Sequence, residues 1–149
     1  MIDQSVRQHW MAVLAKSSFE DLEKVWGVLR EKPQYYFLRP PETGLVMVRA
    51  KEEGNGAPFH LGEMTVTRFT VQVKNGYHGT GYVMGRNRRH AELAALLDAL
   101  LQDPHQHAAL MDLVIRPLEL ILRKRRAVMA QKIASTRVEF FTMVRGDDT

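Results

Sequence analysis

The chain contains no cysteine, which excludes a disulfide framework, thiolate catalysis and Cys-ligated zinc or iron–sulfur sites together. It also lacks any run of about 18 uncharged apolar residues, and its first residues show no basic, then apolar, then small-residue progression. A cytoplasmic location with no membrane partner is therefore expected. No internal repeat, low-complexity tract or linker interrupts the sequence, and 149 residues suit one compact domain. A single domain over residues 1–149 is the expectation.

The composition is 45% hydrophobic and 26% charged, which is that of a globular chain, and the 21 Lys and Arg outnumber the 17 Asp and Glu. This modest basic bias suits a phosphorylated ligand, an acidic protein surface or a nucleic acid, and by itself separates none of these. Residues 5–16 place Val6, Trp10, Val13 and Leu14 at helical spacing. Ser17 or Ser18 then caps a second helix carrying Leu22, Val25, Trp26 and Leu29, which Pro33 closes. "YYFL" and "GLVMVRAK" read as strands on either side of a rigid "RPPET" corner, followed by a Gly-rich loop, "EEGNGAP".

Residues 61–74 alternate and are rich in Thr, Val and Phe, and "YHGTGYVMG" returns as their partner strand. Between them Asn75 and Gly76 suit a type I′ hairpin turn. A helix over 88–102 follows, with Leu93, Leu96, Leu97, Leu100 and Leu101 marking its apolar face. Asp103 and Pro104 introduce a third helical region reaching about Ser135. Unbroken, that region would span about 45 Å, more than the ~38 Å diameter of a globule of this size, so it kinks at Pro117 or projects. The final "TRVEFFTMVRG" has β character and needs a surface to dock on. The fold class is thus α+β: an antiparallel sheet with a central hairpin, flanked by helices, and a long C-terminal helical region.

Most motifs have a bland account. "GTGYVMG" fails the dinucleotide fingerprint because it lies in a hairpin strand, where Gly79, Gly81 and Gly85 allow a bulge or a close backbone approach. "HAE" at 90–92 mimics the zinc-dependent base deaminases, but their cysteines are missing. His105 and His107 would point about 160° apart on a helix, which disfavours chelation, and no metal site is expected. "RKRR" at 123–126 spreads around a helix, and no aromatic side chains interleave with it as in single-strand binders. No nucleic-acid partner is expected.

"GRNRRH" is different. Arg86, Arg88, Arg89 and His90 crowd a helix start, where the dipole is already positive and backbone N–H groups lack partners. Such an end cradles a phosphate, and Arg grips an oxygen pair in a fork. An acidic protein surface satisfies the same charges. Without either, the cost is only a few tenths of a kcal/mol per charge, which a fold tolerates. Nearby, Glu63, Thr65 and Thr67 share one strand face and Met64, Val66 and Arg68 the other. If Val66 faces the core, Arg68 there requires an acid or an anion. Arg68 and Glu63 are second-tier contacts.

"RPPETGLVMVRA" (39–50), "FHLGEMTVTRFTV" (59–71), "GYVMGRNRRHAELAALLDALLQ" (81–102) and "TRVEFFTMVRG" (136–146) together resemble the G subunit of the bacterial carbon–phosphorus lyase system, in order and spacing over nearly the whole chain. The resemblance implies a subunit that assembles with the H, I and J subunits, two copies of each. It further implies that, with the I, H and L subunits, it supports an ATP-dependent step in which a phosphonate replaces adenine at the anomeric carbon of the nucleotide. The product implied is a ribose 1-phosphonate 5-triphosphate. Because the family's principal catalytic residues are placed on other subunits, no catalytic residue is assigned here. ATP enters as a substrate of the complex, and no cofactor is expected on this chain alone. A structural adaptor without ligand contact is the alternative, and a basic nucleic-acid-binding module a more distant one.

Overall fold

The computed structural model describes the backbone of residues 2–30, 32–51, 58–74 and 76–147, and the side chains of these except 48–51, 58–61 and 136–147. Two helices open the chain. Asp3 caps α1 (Gln4–Lys16) through the amide of Ser5, and Ser18 caps α2 (Phe19–Val28) through that of Asp21. Both caps satisfy N–H groups that a helix start leaves unpaired. The second helix ends at Val28, one turn before Pro33, which terminates nothing.

Three antiparallel strands follow in the order β1 (Tyr35–Lys51), β2 (Pro58–Val73) and β3 (His78–Met84). The expected pair of strands around a Pro-Pro corner is a single strand. Pro40 and Pro41 fall where the register against β2 slips, between Arg39 and Glu42. Proline lacks the ladder donor, and on an edge strand a bulge absorbs it without a corner. The Gly-rich loop lies outside the described residues.

The β2–β3 hairpin forms as expected, but its turn differs. The Gly76 amide bonds the Val73 carbonyl (3.0 Å) and the Val73 amide bonds the Tyr77 carbonyl (3.2 Å). Gly85, and not Gly76, is the described glycine with positive φ. The connection is therefore longer than a two-residue type I′ turn; Asn75 itself is outside the described residues.

The helix α3 (Arg88–Leu101) is the centre of the molecule. From Ala91 to Leu101 every residue but Glu92 is buried, so the helix is covered all round and not along one apolar face. The sheet covers one side, with Phe69, Val71 and Val83 inward; Trp10 and Leu14 of α1 and Leu22 and Trp26 of α2 cover the other. Gly79 and Gly81 make the close approach possible. A Cβ on either would stand 1.8 or 2.0 Å from the carbonyl oxygens of Ala95 and Ala91.

The last third is helical throughout: α4 (Pro104–Leu110), a π-helical turn (Met111–Ile115) and α5 (Arg116–Asp147). In the π turn the Arg116 amide reaches back five residues to the Met111 carbonyl. Wider turns of this kind accommodate a proline such as Pro117, which cannot donate to the Leu113 carbonyl. Beyond Leu122 the described side chains of α5 are exposed, so the helix projects. The C-terminal "TRVEFFTMVRG" continues α5 and is not a strand. Extending a formed helix adds one hydrogen bond per residue ordered, whereas a strand there would need a pairing edge.

Candidate phosphate-contact site at the start of α3

The hairpin delivers its second strand into a tight corner. Gly85 adopts φ +94°, its amide bonds the Thr65 carbonyl (2.7 Å) and its carbonyl accepts from the Thr67 hydroxyl (2.6 Å). Positive φ without strain is what glycine supplies. Asn87 then caps α3, its Oδ1 accepting from the His90 amide at 3.1 Å. Arg88, Arg89 and His90 are consequently the first three helical residues, and Arg86 stands just outside.

These four residues have different surroundings. Arg86 and Arg88 are exposed. Arg89 donates to Glu92 one turn along (2.5 Å), and the Tyr35 hydroxyl donates to the same carboxylate oxygen (2.5 Å). Burial, and then the bond to Glu92, pushes the Tyr35 phenol above its usual pKa, so it stays a protonated donor. Glu92 thereby supplies Arg89 with its counter-charge from inside the chain. His90 is turned inward, its ring 6.2 Å from that of Phe19, and its Nε2 makes no hydrogen bond among the described residues. Burial lowers its pKa, with the Leu14 and Ser17 carbonyls opposing the shift. The exposed positive charge of the helix start is thus carried by Arg86 and Arg88, with Arg89 beside them.

Arg68 and Glu63 are not part of this cluster. The inner sheet face is built on Thr67, Phe69, Val71 and Val73, so Arg68 emerges on the opposite, exposed face between Glu42 of β1 and Tyr82 of β3. An arginine there has water around it and needs no buried counter-ion. Glu63 is exposed farther out, opposite Met47 on the β1–β2 arm. Among the described residues no group of three His, Asp or Glu side chains is placed to hold a metal ion, and no helix is long and apolar enough to cross a membrane.

Comparison with known proteins decides the family. The model of the family "Phosphonate metabolism protein PhnG" matches residues 5–146. The chain belongs to the PhnG family. It is 43% identical over 145 residues to the alpha-D-ribose 1-methylphosphonate 5-triphosphate synthase subunit PhnG of Rhizobium meliloti (strain 1021), covering 95% of this chain and 90% of the relative. The resemblance drawn from the four sequence blocks is therefore right, and it extends through the first helix and the long helical region.

Two polar features of this PhnG chain were not among the expected sites. One is the Glu92 oxygen shared by Arg89 and the Tyr35 hydroxyl; the Arg89 pair has readable i,i+3 spacing, but Tyr35 lies 57 residues from Glu92 and leaves no sequence signal. The other is Asp98, fully buried between α1, α3 and β3. Its two oxygens accept from Arg7 Nε (3.2 Å) and Nη2 (2.9 Å), Trp10 Nε1 (2.8 Å) and the Thr80 amide (2.9 Å). A lone acid inside "LAALLDALL" was a legible signal for a buried carboxylate needing donors.

Proposed function

We propose that this chain is the G-type subunit of an α-D-ribose 1-methylphosphonate 5-triphosphate synthase in organic phosphonate catabolism. It works with the H, I and L subunits in the ATP-dependent step and with H, I and J in the core complex. In that step an oxygen of the phosphonate bonds to the anomeric carbon of the nucleotide. The bond from that carbon to the adenine nitrogen breaks, and adenine leaves with a proton. The observation that carries this reading is the 43% identity to a synthase subunit across 95% of the chain.

The role assigned to this subunit is contact and support. Arg86 and Arg88, with Arg89 and its Glu92 neighbour behind them, hold a phosphate group of the triphosphate-bearing substrate against the free amides at the start of α3. His90 shapes that turn from inside, where its ring meets Phe19. Arg68 and Glu63 are left as contacts to a neighbouring subunit on the outer sheet face. ATP is a substrate of the assembled enzyme, and this chain alone binds no cofactor.

The test is the doubly reversed variant Arg86→Glu/Arg88→Glu, co-expressed with the other subunits. Assembly should persist while adenine release from ATP and methylphosphonate falls at least about tenfold, the loss expected when charge-assisted contacts worth 1.4 kcal/mol or more are removed. Wild-type turnover would refute the phosphate contact. Loss of assembly would instead favour the adaptor reading, in which the same arginines meet a subunit's carboxylates.

A further inference from the structure

The helix α5 carries an apolar stripe that runs out of the protein's own core. Leu118 and Leu122 lie on one side of it, and at 100° per residue Met129 and Ile133 continue the same line. Leu118 is buried to 1% exposure and Leu122 is half-buried, whereas Met129 and Ile133 stand 59% and 53% exposed. The side chains at the rim of the stripe are arginines, Arg125 on one flank and Arg126 on the other. Just past the covered part, the body answers that rim with an acid: Arg125, itself still exposed, meets Asp21 Oδ2 of α2 through its Nη2 at 2.8 Å.

We infer that the projecting part of α5 is a docking helix for an acidic protein surface, with Met129 and Ile133 filling an apolar groove whose carboxylates pair with Arg126 and its neighbours. Two observations fix that chemistry. The covered half of the same stripe is already met by apolar side chains with a flanking carboxylate, so the uncovered half presents the same pattern to a partner. A second copy of this chain is the wrong occupant, because residues 116–135 hold six Lys or Arg against one Glu. Two such helices side by side bring like charges into register. An amphipathic helix in a groove, with anchors three, four and seven residues apart, is a recurrent mode of subunit recognition.

This inference rests on the subunit role proposed above, and its test separates the two. The full chain and its Met129→Asp/Ile133→Asp variant are each co-expressed with the other synthase subunits and recovered by a tag on one of those subunits. Both positions are exposed, so helix content and the unfolding midpoint of the variant should match the parent chain. The parent should be recovered in stoichiometric amount and the variant reduced at least about tenfold, the loss expected for two central apolar anchors. Arg126→Glu should weaken recovery in the same direction, and the parent complex should loosen as salt rises. Undiminished recovery of the Asp variant overturns the docking helix and leaves the subunit role standing. Failure of the parent chain itself to assemble overturns both. Two further results would also overturn the acidic-protein partner. One is sedimentation showing a dimer of the parent alone that the Asp variant abolishes. The other is binding to phosphatidylserine vesicles, with the same loss, in place of subunit recovery.

Discussion

Among the described residues, Asp98 is a buried acid held by a full set of donors. Its carboxylate is fully buried on α3 and takes four donors from two other elements, three from Arg7 and Trp10 of α1 and one from the Thr80 amide on the edge strand β3. Asp98→Ala leaves Trp10 Nε1 and the Thr80 amide without an acceptor, and a cost of about 3 kcal/mol in urea unfolding is expected. His90 makes a second, pH-dependent prediction. Burial favours its neutral form, so between its folded pKa and the ordinary value near 6.5 the unfolded chain binds more protons than the native one. Stability should therefore be full above about pH 6.5 and fall as the pH drops below it. His90→Phe should flatten that part of the profile, measured as urea midpoints between pH 5 and 7.5. At this scale the sequence was informative about residue type and silent about direction. The cluster at 86–90 sits at a capped helix start as the charges implied, and the i,i+3 spacing of Arg89 and Glu92 made their pairing readable, but nothing local says that the histidine turns inward or that Glu92 also takes the Tyr35 hydroxyl, because both depend on Phe19 and Tyr35 arriving from distant elements.

Among the elements, the contact of α3 with the hairpin is set by two missing side chains. Gly79→Ala or Gly81→Ala would drive a Cβ to within 2.0 Å of a helix carbonyl, a clash with backbone that no rotamer relieves. Each should cost about 3 kcal/mol or more, read from urea unfolding, whereas Gly44→Ala, with open space at its Cβ position, should cost under about 1 kcal/mol. Helical periodicity and caps were readable in the sequence, since α1, α2 and α3 follow the apolar spacing of Trp10 and Leu14, Leu22 and Trp26, and Leu93 and Leu97. What local patterns could not carry was continuity. Two strand-like runs became one because β2 is long enough to pair across the Pro40–Pro41 slip, and a β-rich terminal run stayed helical because it extends a helix already formed. The π turn before Pro117 is likewise a matter of how one proline is absorbed within a helix held at Val114, Ile115 and Leu118.

The molecule as a whole has a dense centre and two bare extremities. On the outer sheet face Val46, Met64, Tyr82 and Met84 stand exposed, Leu45 and Met47 are exposed on the opposite face of the β1–β2 arm, and α5 exposes its own stripe. Monomeric proteins rarely leave contiguous apolar patches of this extent uncovered, and a subunit of a multi-component synthase has neighbours to cover them. The isolated chain should therefore bind a hydrophobic dye and scatter light in a concentration-dependent way, and co-expression with its partner subunits should suppress both. Val46→Lys together with Met84→Lys, both on the outer face, separates this from marginal folding. Both side chains are exposed, so the pair should change the free energy of unfolding by less than about 0.5 kcal/mol each while lowering dye binding and scattering of the isolated chain. The same two charges should lower recovery of the complex, because the surface they solubilise is the one a partner must desolvate. Reduced aggregation with undiminished assembly would show that the arm stays in water even in the complex.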